Sequence, residues 1–317
     1  MDAPRILITG ASGFVGQHLV TALIRQAPDI ELICIDRQVG ATPSQQGRVS
    51  HYAVDLCNRA EVIDVVAQQL PTHIVHLAAA ASGAGTDRDL IFEVNVEGTR
   101  SLLDAAAELA PFPRVLFVST GYVYGDRTGL GAAVETSPLG PLWRFGAYTD
   151  SKIEAENCAR NYPAFTIIAR PFTHVGPGQA PGFAVSSFAQ QIARIEAGLL
   201  EPVIRVGNLE ALRDILDVRD VIDAYRLLLT SGKPGEAYNI STQRPLAIQS
   251  ILDKLLELAR LPVTVEVDSS RFRPADIQCS TGDSTKILTE TGWRPQIPLE
   301  QTLADTLNYW RETEGVN

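Results

Sequence analysis

The sequence is poor in cysteine, short of basic charge and without long apolar runs, and each shortage narrows what the chain can do. Its 317 residues include four cysteines, Cys34, Cys57, Cys158 and Cys279, with no CxxC pair among them. That pattern excludes a zinc ribbon and a disulfide framework, and it reads as the reduced thiols of a cytoplasmic protein. No grouping of His, Cys and carboxylate residues has metal-ligand spacing, so no metal is expected. The 27 lysines and arginines are outnumbered by 37 acidic residues, for a formal net charge of -10. Such acidity argues against nucleic acid and against an anionic membrane surface as partners. It leaves room for a small anionic ligand, which needs only a local cluster of arginines. No apolar run approaches the roughly 18 residues of a membrane helix. The start of the chain runs directly into a strand pattern, so no signal peptide is expected.

What is present is globular material: 45% hydrophobic and 20% charged residues, enough at this length for one large α/β unit or two small domains. Residues 5–9, 31–36, 73–77, 114–119 and 165–170 are short, apolar and rich in branched side chains. They read as strands buried on both faces. Helical patterns lie between them at 15–26, 59–69, 90–109 and 149–161. The alternation predicts βαβ units and a doubly wound parallel sheet. After Arg170 the texture changes. A Gly- and Pro-rich loop at 176–182 precedes helix patterns at 186–197, 218–229 and 247–259, with short strands near 203–205 and 263–266. This predicts a dinucleotide-binding domain over 1–170 and a smaller substrate-binding lobe over 171–317, with some segments returning to the sheet.

Gly10-Ala11-Ser12-Gly13-Phe14-Val15-Gly16 forms a GxxGxxG loop between the first strand and the first helix. Glycine there permits the tight turn and lets the backbone approach a pyrophosphate. The helix N-terminus offers unpaired N–H groups to the phosphates. Asp36 stands at the end of the second strand, where a carboxylate accepts hydrogen bonds from ribose hydroxyls and repels a 2′-phosphate. NAD(H) is therefore favoured. Arg37 beside it reads as a solvated charge or a stack on adenine; as a phosphate partner it would admit NADP(H). Asp55-Leu56, after the third strand, either flanks the adenine or simply ends a strand.

Tyr148-Thr149-Asp150-Ser151-Lys152 places a tyrosine and a lysine four apart, on one face of a helix. A phenol of ordinary pKa near 10 is a poor acid–base at neutral pH. A nearby ammonium is expected to lower it. Thr120 lies at the carboxyl end of the fifth strand, where such sheets place ligand-binding groups.

Together these residues resemble the extended short-chain dehydrogenase/reductase family. The likeness spans almost the whole chain: the glycine loop, Asp55-Leu56, Leu77-Ala78-Ala79, Asn95, Thr120, Tyr148 with Lys152, Arg170-Pro171 and Gly292-Trp293-x-Pro295. It implies a Rossmann-type fold with Tyr148 as acid–base, Lys152 as its modulator and Thr120 hydrogen-bonded to the reacting oxygen. It implies cofactor contacts from Gly10, Gly13, Phe14, Val15, Gly16, Asp36, Arg37, Asp55, Leu56, Leu77, Ala78, Ala79, Asn95, Tyr148 and Lys152. It also implies a homodimer through helices 90–109 and 149–161, with Leu102, Leu103, Ala106 and Leu109 supplying apolar contacts at helical spacing, some of them necessarily toward the sheet.

A closer likeness lies in the second half. Gly207-Asn208-Leu209-Glu210-Ala211-Leu212-Arg213-Asp214 resembles a segment of GDP-mannose 4,6-dehydratases and of GDP-6-deoxy-4-keto-mannose reductases. So does the stretch from Thr173 to Gln179, although the reductases usually begin it with Asn-His. Arg271-x-Arg273-Pro274 fits the same pattern. The likeness implies Arg213 and Arg273 on the pyrophosphate of a GDP-sugar, suited to guanidinium geometry. Ion pairs with Asp214, Asp217 or Asp276 are the alternative for these arginines. Thr173, His174 and Asn208 are further candidate substrate contacts, while His18, His51, His73 and His76 read as structural. One departure separates the reactions. Dehydratases of this kind carry Thr-Asp-Glu after the fifth strand, but here Gly121 and Tyr122 follow Thr120. Glycine cannot transfer a proton, so elimination of water is disfavoured. Reduction of a 4-keto group is the leading expectation. The rivals are a 4-epimerase with tightly held NAD and a non-catalytic dinucleotide sensor, against which Thr120, Tyr148 and Lys152 count.

Overall fold

The computed structural model describes residues 3–26, 29–38, 48–80, 87–141, 144–272 and 277–316. The first half alternates as expected: β1 (Arg5–Thr9), α1 (Phe14–Gln26), β2 (Glu31–Asp36), β3 (Val49–Ala53), α2 (Arg59–Gln69) and β4 (His73–His76). Next come α3 (Arg88–Phe92), α4 (Gly98–Ala107), β5 (Arg114–Val118), α5 (Ala147–Arg160) and β6 (Thr166–Pro171). The second half holds β7 (Thr173–Val175), α6 (Ala184–Glu196), β8 (Val203–Val206), β9 (Leu212–Asp217), α7 (Val218–Ser231) and β10 (Ala237–Ile240). It finishes with β11 (Pro245–Ala247), α8 (Ile248–Glu257), β12 (Thr264–Val267), β13 (Cys279–Ser280), α9 (Thr285–Thr291) and α10 (Leu299–Thr313).

The main sheet has seven parallel strands in the order β10-β6-β5-β4-β1-β2-β3. The order reverses between β1 and β4. In an open α/β sheet the ligand crevice lies outside the carboxyl ends of the strands at that switch. The glycine loop leaves β1 there and Leu77-Ala78 leaves β4, so chain order alone brings the two to one crevice. The sheet is covered on both faces, which explains the continuous apolar strands. Leu19, Val20 and Leu23 of α1 meet Val221, Tyr225 and Leu228 of α7 on one face. Val62 and Val66 of α2, Leu102 and Ala106 of α4, and Ala155 and Ala159 of α5 cover the other. A separate core in the second half gathers Phe188, Ile192, Ile204, Leu252, Leu307 and Trp310. It underlies a small sheet, β11-β9-β13 with β7 against β9, and the β12–β8 pair. The α/β doubly wound sheet with a smaller, interleaved lobe is thus the architecture.

Three differences from the sequence reading have physical causes. The pattern at 90–109 is one run of apolar periodicity, yet α3 and α4 are separated by a π-helical turn, Glu93–Glu97. Asn95 lies in that turn, and its side-chain amide bonds two other segments. β10 joins the main sheet although its four residues carry little strand signal. Its polar Asn239 is fully buried and its amide donates to the carbonyls of Ala133 (2.8 Å) and Asp283 (3.1 Å). Finally, the apolar face of α4 is spent inside the subunit. Leu102, Leu103 and Ala106 are buried against the sheet and α2, so they cannot supply the expected dimer contacts. Among the described residues no helix is long and apolar enough to cross a membrane.

Candidate active site

The glycine loop has the backbone its sequence predicts. Gly10 has φ 69°, and a Cβ there would lie 2.9 Å from both N and Cα of Ala78. The loop after β4 therefore packs directly on the glycine turn. A Cβ on Gly16 would collide with the carbonyls of Gly10 and Ala11, the latter at 2.6 Å. The Gly13 N–H donates to Gly10 O at 3.1 Å, and α1 begins at Phe14. Any side chain would fill this cradle, and the helix N-terminus behind it suits a pyrophosphate. Asp36 is bound to the same loop: Oδ2 accepts from the Ser12 N–H (3.1 Å) and Oδ1 from the Arg37 N–H (2.9 Å). Asp36, Ser12, Ala11, Cys34, Gln38, His51 and Tyr52 line one cavity. The buried Nε2 of His51 has no protein partner there. A cradle that glycine keeps open and an orphaned polar atom beside Asp36 both fit a dinucleotide. Asp55 accepts from the Cys57 N–H at 3.0 Å, turning the chain into α2, while Leu56 is buried under Gly98.

Asn95, expected at the cofactor, is 2% exposed and its amide is fully engaged by the protein. Oδ1 accepts from the Ala80 N–H (2.7 Å), and Nδ2 donates to Ala80 O (3.0 Å) and to Ser151 Oγ (2.9 Å). It joins the loop after β4, which includes Leu77, Ala78 and Ala79, to the helix of Tyr148. A buried chain supports it. Thr99 donates to Asn95 O at 2.6 Å, so the Thr99 hydroxyl accepts from His76 Nε2 (2.9 Å). His76 Nδ1 then accepts from Thr9 (2.7 Å), whose oxygen accepts from the Ala78 N–H (3.2 Å). Burial, with a contribution from Lys152, pushes His76 down to about 3, which keeps it neutral.

Thr120 lies two residues beyond β5 and caps a short 3₁₀ turn, Gly121–Tyr124, its hydroxyl accepting from the Tyr122 N–H at 3.3 Å. α5 packs beside that turn and carries Tyr148 and Lys152 one turn apart. Lys152 Nζ donates to the carbonyl of Val118 (2.6 Å) and stands 4.8 Å from the Phe117 ring centroid. Burial lowers the ammonium to about 8, and Glu156 opposes the fall. Tyr148 is half-buried, and burial, with a contribution from Tyr122, pushes its phenol up to about 12. The expected lowering by Lys152 is thus reversed: the ammonium is committed to the strand carbonyl, and desolvation of the phenolate dominates.

The residues after Thr120 define the next wall. A Cβ on Gly121 would lie 2.7 Å from Cδ1 of Phe172. The same ring is pressed from its other edge by Gly282 and is 3% exposed. Phe172 escaped the sequence reading, and the glycine at 121 was its only local signal. Tyr122 OH and Thr173 Oγ1 are 3.3 Å apart. His174 Nδ1 donates to the carbonyl of Phe172 (3.0 Å), and its ring stacks on Phe14 of the glycine loop at 6.3 Å between centroids. Burial lowers its pKa, so its Nε2 is an acceptor. In the second lobe, Asn208 Oδ1 accepts from the Glu210 N–H at 3.0 Å. Arg213, 9% exposed on β9, donates to Leu212 O at 3.0 Å. Asp214 is satisfied by the Thr242–Gln243 backbone, and Asp217 by Arg219 and Thr302. Arg273 and Asp276 lie outside the described residues.

A glycine cradle at the switch point of a parallel sheet, with a tyrosine–lysine helix facing a threonine at the next strand end, defines a dinucleotide-dependent oxidoreductase. Residues 6–241 match the NAD dependent epimerase/dehydratase family, and the chain belongs to it. A GDP-6-deoxy-D-mannose reductase of Pseudomonas aeruginosa is 31% identical over 312 residues, which cover 96% of this chain and 97% of that protein. The structure of RMD from P. aeruginosa complexed with NADPH superposes with a TM-score of 0.82 at 28% identity, covering 98% of this chain and all of that one. The UDP-glucose 4-epimerase of Thermus thermophilus in complex with NAD gives 0.84 at 27% identity, covering 97% and 99%. The chain is accordingly an NAD(P)-dependent enzyme of the family's epimerase, dehydratase or reductase chemistry.

Proposed function

We propose that the chain reduces the 4-keto group of a GDP-linked 6-deoxy-4-keto-hexose, giving a GDP-6-deoxyhexose such as GDP-rhamnose. The observation that carries this reading is Gly121. Elimination of water needs an acid and a base next to Thr120. The ring of Phe172 occupies the space that a side chain at 121 would need. Tyr122, the next residue, is engaged with Thr173. Ketone reduction needs no acid or base at 121 or 122, because Tyr148 can supply the proton.

With a reduced nicotinamide held at the glycine cradle, hydride would be available to the C4 carbonyl of the sugar, leaving an alkoxide there. Tyr148 then donates its phenolic proton to that alkoxide, and Thr120 hydrogen-bonds the same oxygen. A phenol raised to about 12 stays protonated at neutral pH and is a competent donor to the more basic alkoxide. Lys152 follows as the charge that stabilises the phenolate left behind. Arg213 and Arg273 neutralise the diphosphate, with Thr173, His174 and Asn208 lining the sugar side. Asp36 favours NAD(H), while Arg37 is the residue that would receive a 2′-phosphate. The P. aeruginosa reductase supports the substrate class. The test combines enzyme, NADH or NADPH and a GDP-4-keto-6-deoxy sugar, with absorbance and product both measured. One cofactor oxidised per product is expected. Interconversion of C4 epimers without net oxidation would establish the epimerase instead, and no turnover with any nucleotide sugar would leave a sensor.

A further inference from the structure

Glu156 takes no part in the chemistry above, yet it is fully enclosed one helical turn beyond Lys152 on α5. Residues four apart on a helix share a face, so the carboxylate and the ammonium are neighbours. Its two oxygens collect donors from three elements. Ser119 Oγ donates at 2.9 Å, Arg170 Nε at 3.0 Å and Arg160 Nη2 at 2.8 Å; Arg170 Nη2 completes a two-pronged contact. Arg170, itself 1% exposed, also donates to Tyr124 OH (2.5 Å) and to Glu135 O (3.0 Å). Packing alone does not require this. An apolar side chain of similar volume avoids the desolvation of a buried ion pair and is often no less stable. Besides the buried guanidinium of Arg170, two things need the charge or its hydrogen bonds. Lys152 loses solvation on burial, and the negative charge of Glu156 opposes that loss. Ser119 immediately precedes Thr120, so its bond to Glu156 joins that strand end to α5.

We propose that Glu156 is a positioning residue of the acid–base site, holding the Lys152 ammonium charged and tying the strand end that carries Thr120 to the helix that carries Tyr148. This rests on the assignment of Thr120, Tyr148 and Lys152 to the reaction. The other groups around Lys152 leave the task to Glu156. From the sheet, Val118 offers a carbonyl, Phe117 a ring and His76 a neutral imidazole. Tyr148 and the 3₁₀-turn residues Tyr122 and Tyr124 present phenols. On α3, Arg88 pairs with Asp150, and on α4 the exposed Arg100 pairs with Glu97. Arg170 is bound to Glu156 itself, and the 43% exposed Arg160 is bound to the same carboxylate and offsets part of its charge.

The chain has four lysines, at 152, 233, 254 and 286, so lysine labelled with ¹³C yields a spectrum simple enough to titrate. In the ligand-free protein Lys152 is expected to titrate near 8. Glu156→Gln should lower that midpoint by about one unit. Arg160→Gln removes an opposing positive charge at an exposed site, so the midpoint should rise. The alkaline limb of the kcat profile should move with the midpoint in each variant, whereas a purely structural role would scale kcat at every pH. Ser119→Ala cuts the tie and spares the charge. It should lower kcat about 3–10-fold, leaving the Lys152 midpoint and cofactor affinity unchanged. If Glu156→Gln fails to fold, Arg160→Gln decides the charge alone. A Lys152 midpoint that stays put in the folded variants, or an alkaline limb that ignores it, overturns the first half of the proposal. Full activity of Ser119→Ala overturns the second. The titration needs no substrate, so it remains readable even if the ketoreductase reading fails.

Discussion

Gly121→Ala adds one carbon where the structure has no room for it. The new Cβ would stand 2.7 Å from Cδ1 of Phe172 and 2.8 Å from Cγ and Cε1. Ordinary carbon contacts are about 3.5–4.0 Å, so three ring atoms must retreat by about an ångström. The ring cannot swing away freely: Gly282 presses its far edge, and Tyr124 stacks on it at 6.3 Å between centroids. Overpacking of an enclosed site costs about 1–3 kcal/mol, and that is the expected loss in urea unfolding at pH 7. Phe172→Leu is destabilising by itself through the cavity it opens. Combined with Gly121→Ala it should recover part of that loss, a favourable coupling of about 1 kcal/mol or more. The same push acts on Thr120, which caps the turn beginning at Gly121, so ketone reduction should fall along with stability. A Gly121→Ala protein within about 0.5 kcal/mol of wild type, additive with Phe172→Leu, would refute the argument. It would also remove the steric reason for excluding a dehydratase acid at this position.

Tyr148→Phe should keep cofactor binding and lose about 10²–10⁴-fold in turnover, whereas Lys152→Met should damage both; equilibrium titration of NADH beside steady-state kinetics checks this. NADH should bind more tightly than NADPH by about 1–3 kcal/mol, because a 2′-phosphate must face Asp36. Equal or tighter NADPH binding would shift the role to Arg37. The folded-state pKa of His76, about 3, is lower than its unfolded value near 6.5, so the unfolded chain binds the extra proton. Stability should be full above about pH 6.5 and should fall by about 1.4 kcal/mol per pH unit between there and pH 3, a slope that His76→Asn should flatten in urea melts. Light scattering at micromolar concentration should give a dimer. Since Leu102, Leu103 and Ala106 are committed to the core, charges placed on the exposed faces of α4 and α5 should dissociate it, and charges elsewhere should not.

Much of the candidate site's local geometry was legible because its requirements are local. GxxGxxG is a statement about one turn, and Tyr148 with Lys152 about one helical face. Asp36 needed only the end of β2 to be recognised. Other features depended on segments far apart in the chain. Asn95 was singled out by a pattern, and only the fold shows its amide joining Ala80 and Ser151, from two different elements. The Tyr148 phenol was expected to be lowered because Lys152 is adjacent in the helix. In the fold the lysine faces Val118 and burial of the phenol prevails. The periodicity of 90–109 announced an apolar helical face without saying whether the sheet or a second subunit would cover it.

By itself the sequence determined the strand–helix alternation, the glycine cradle, the acidic end of β2 and the pairing of tyrosine with lysine. Each follows from backbone geometry over a few residues, where spacing and side-chain type suffice. Only the tertiary structure decided that β10 closes the sheet beside β6, that Phe172 fills the space at Gly121, and that Glu156 faces Lys152 while gripping Ser119 and Arg170. Most of these contacts join segments well apart in the chain, and even Glu156, four residues from Lys152, draws Ser119 and Arg170 from two other elements. Their energies come from burial and desolvation, which depend on what surrounds a group and not on what precedes it in the chain.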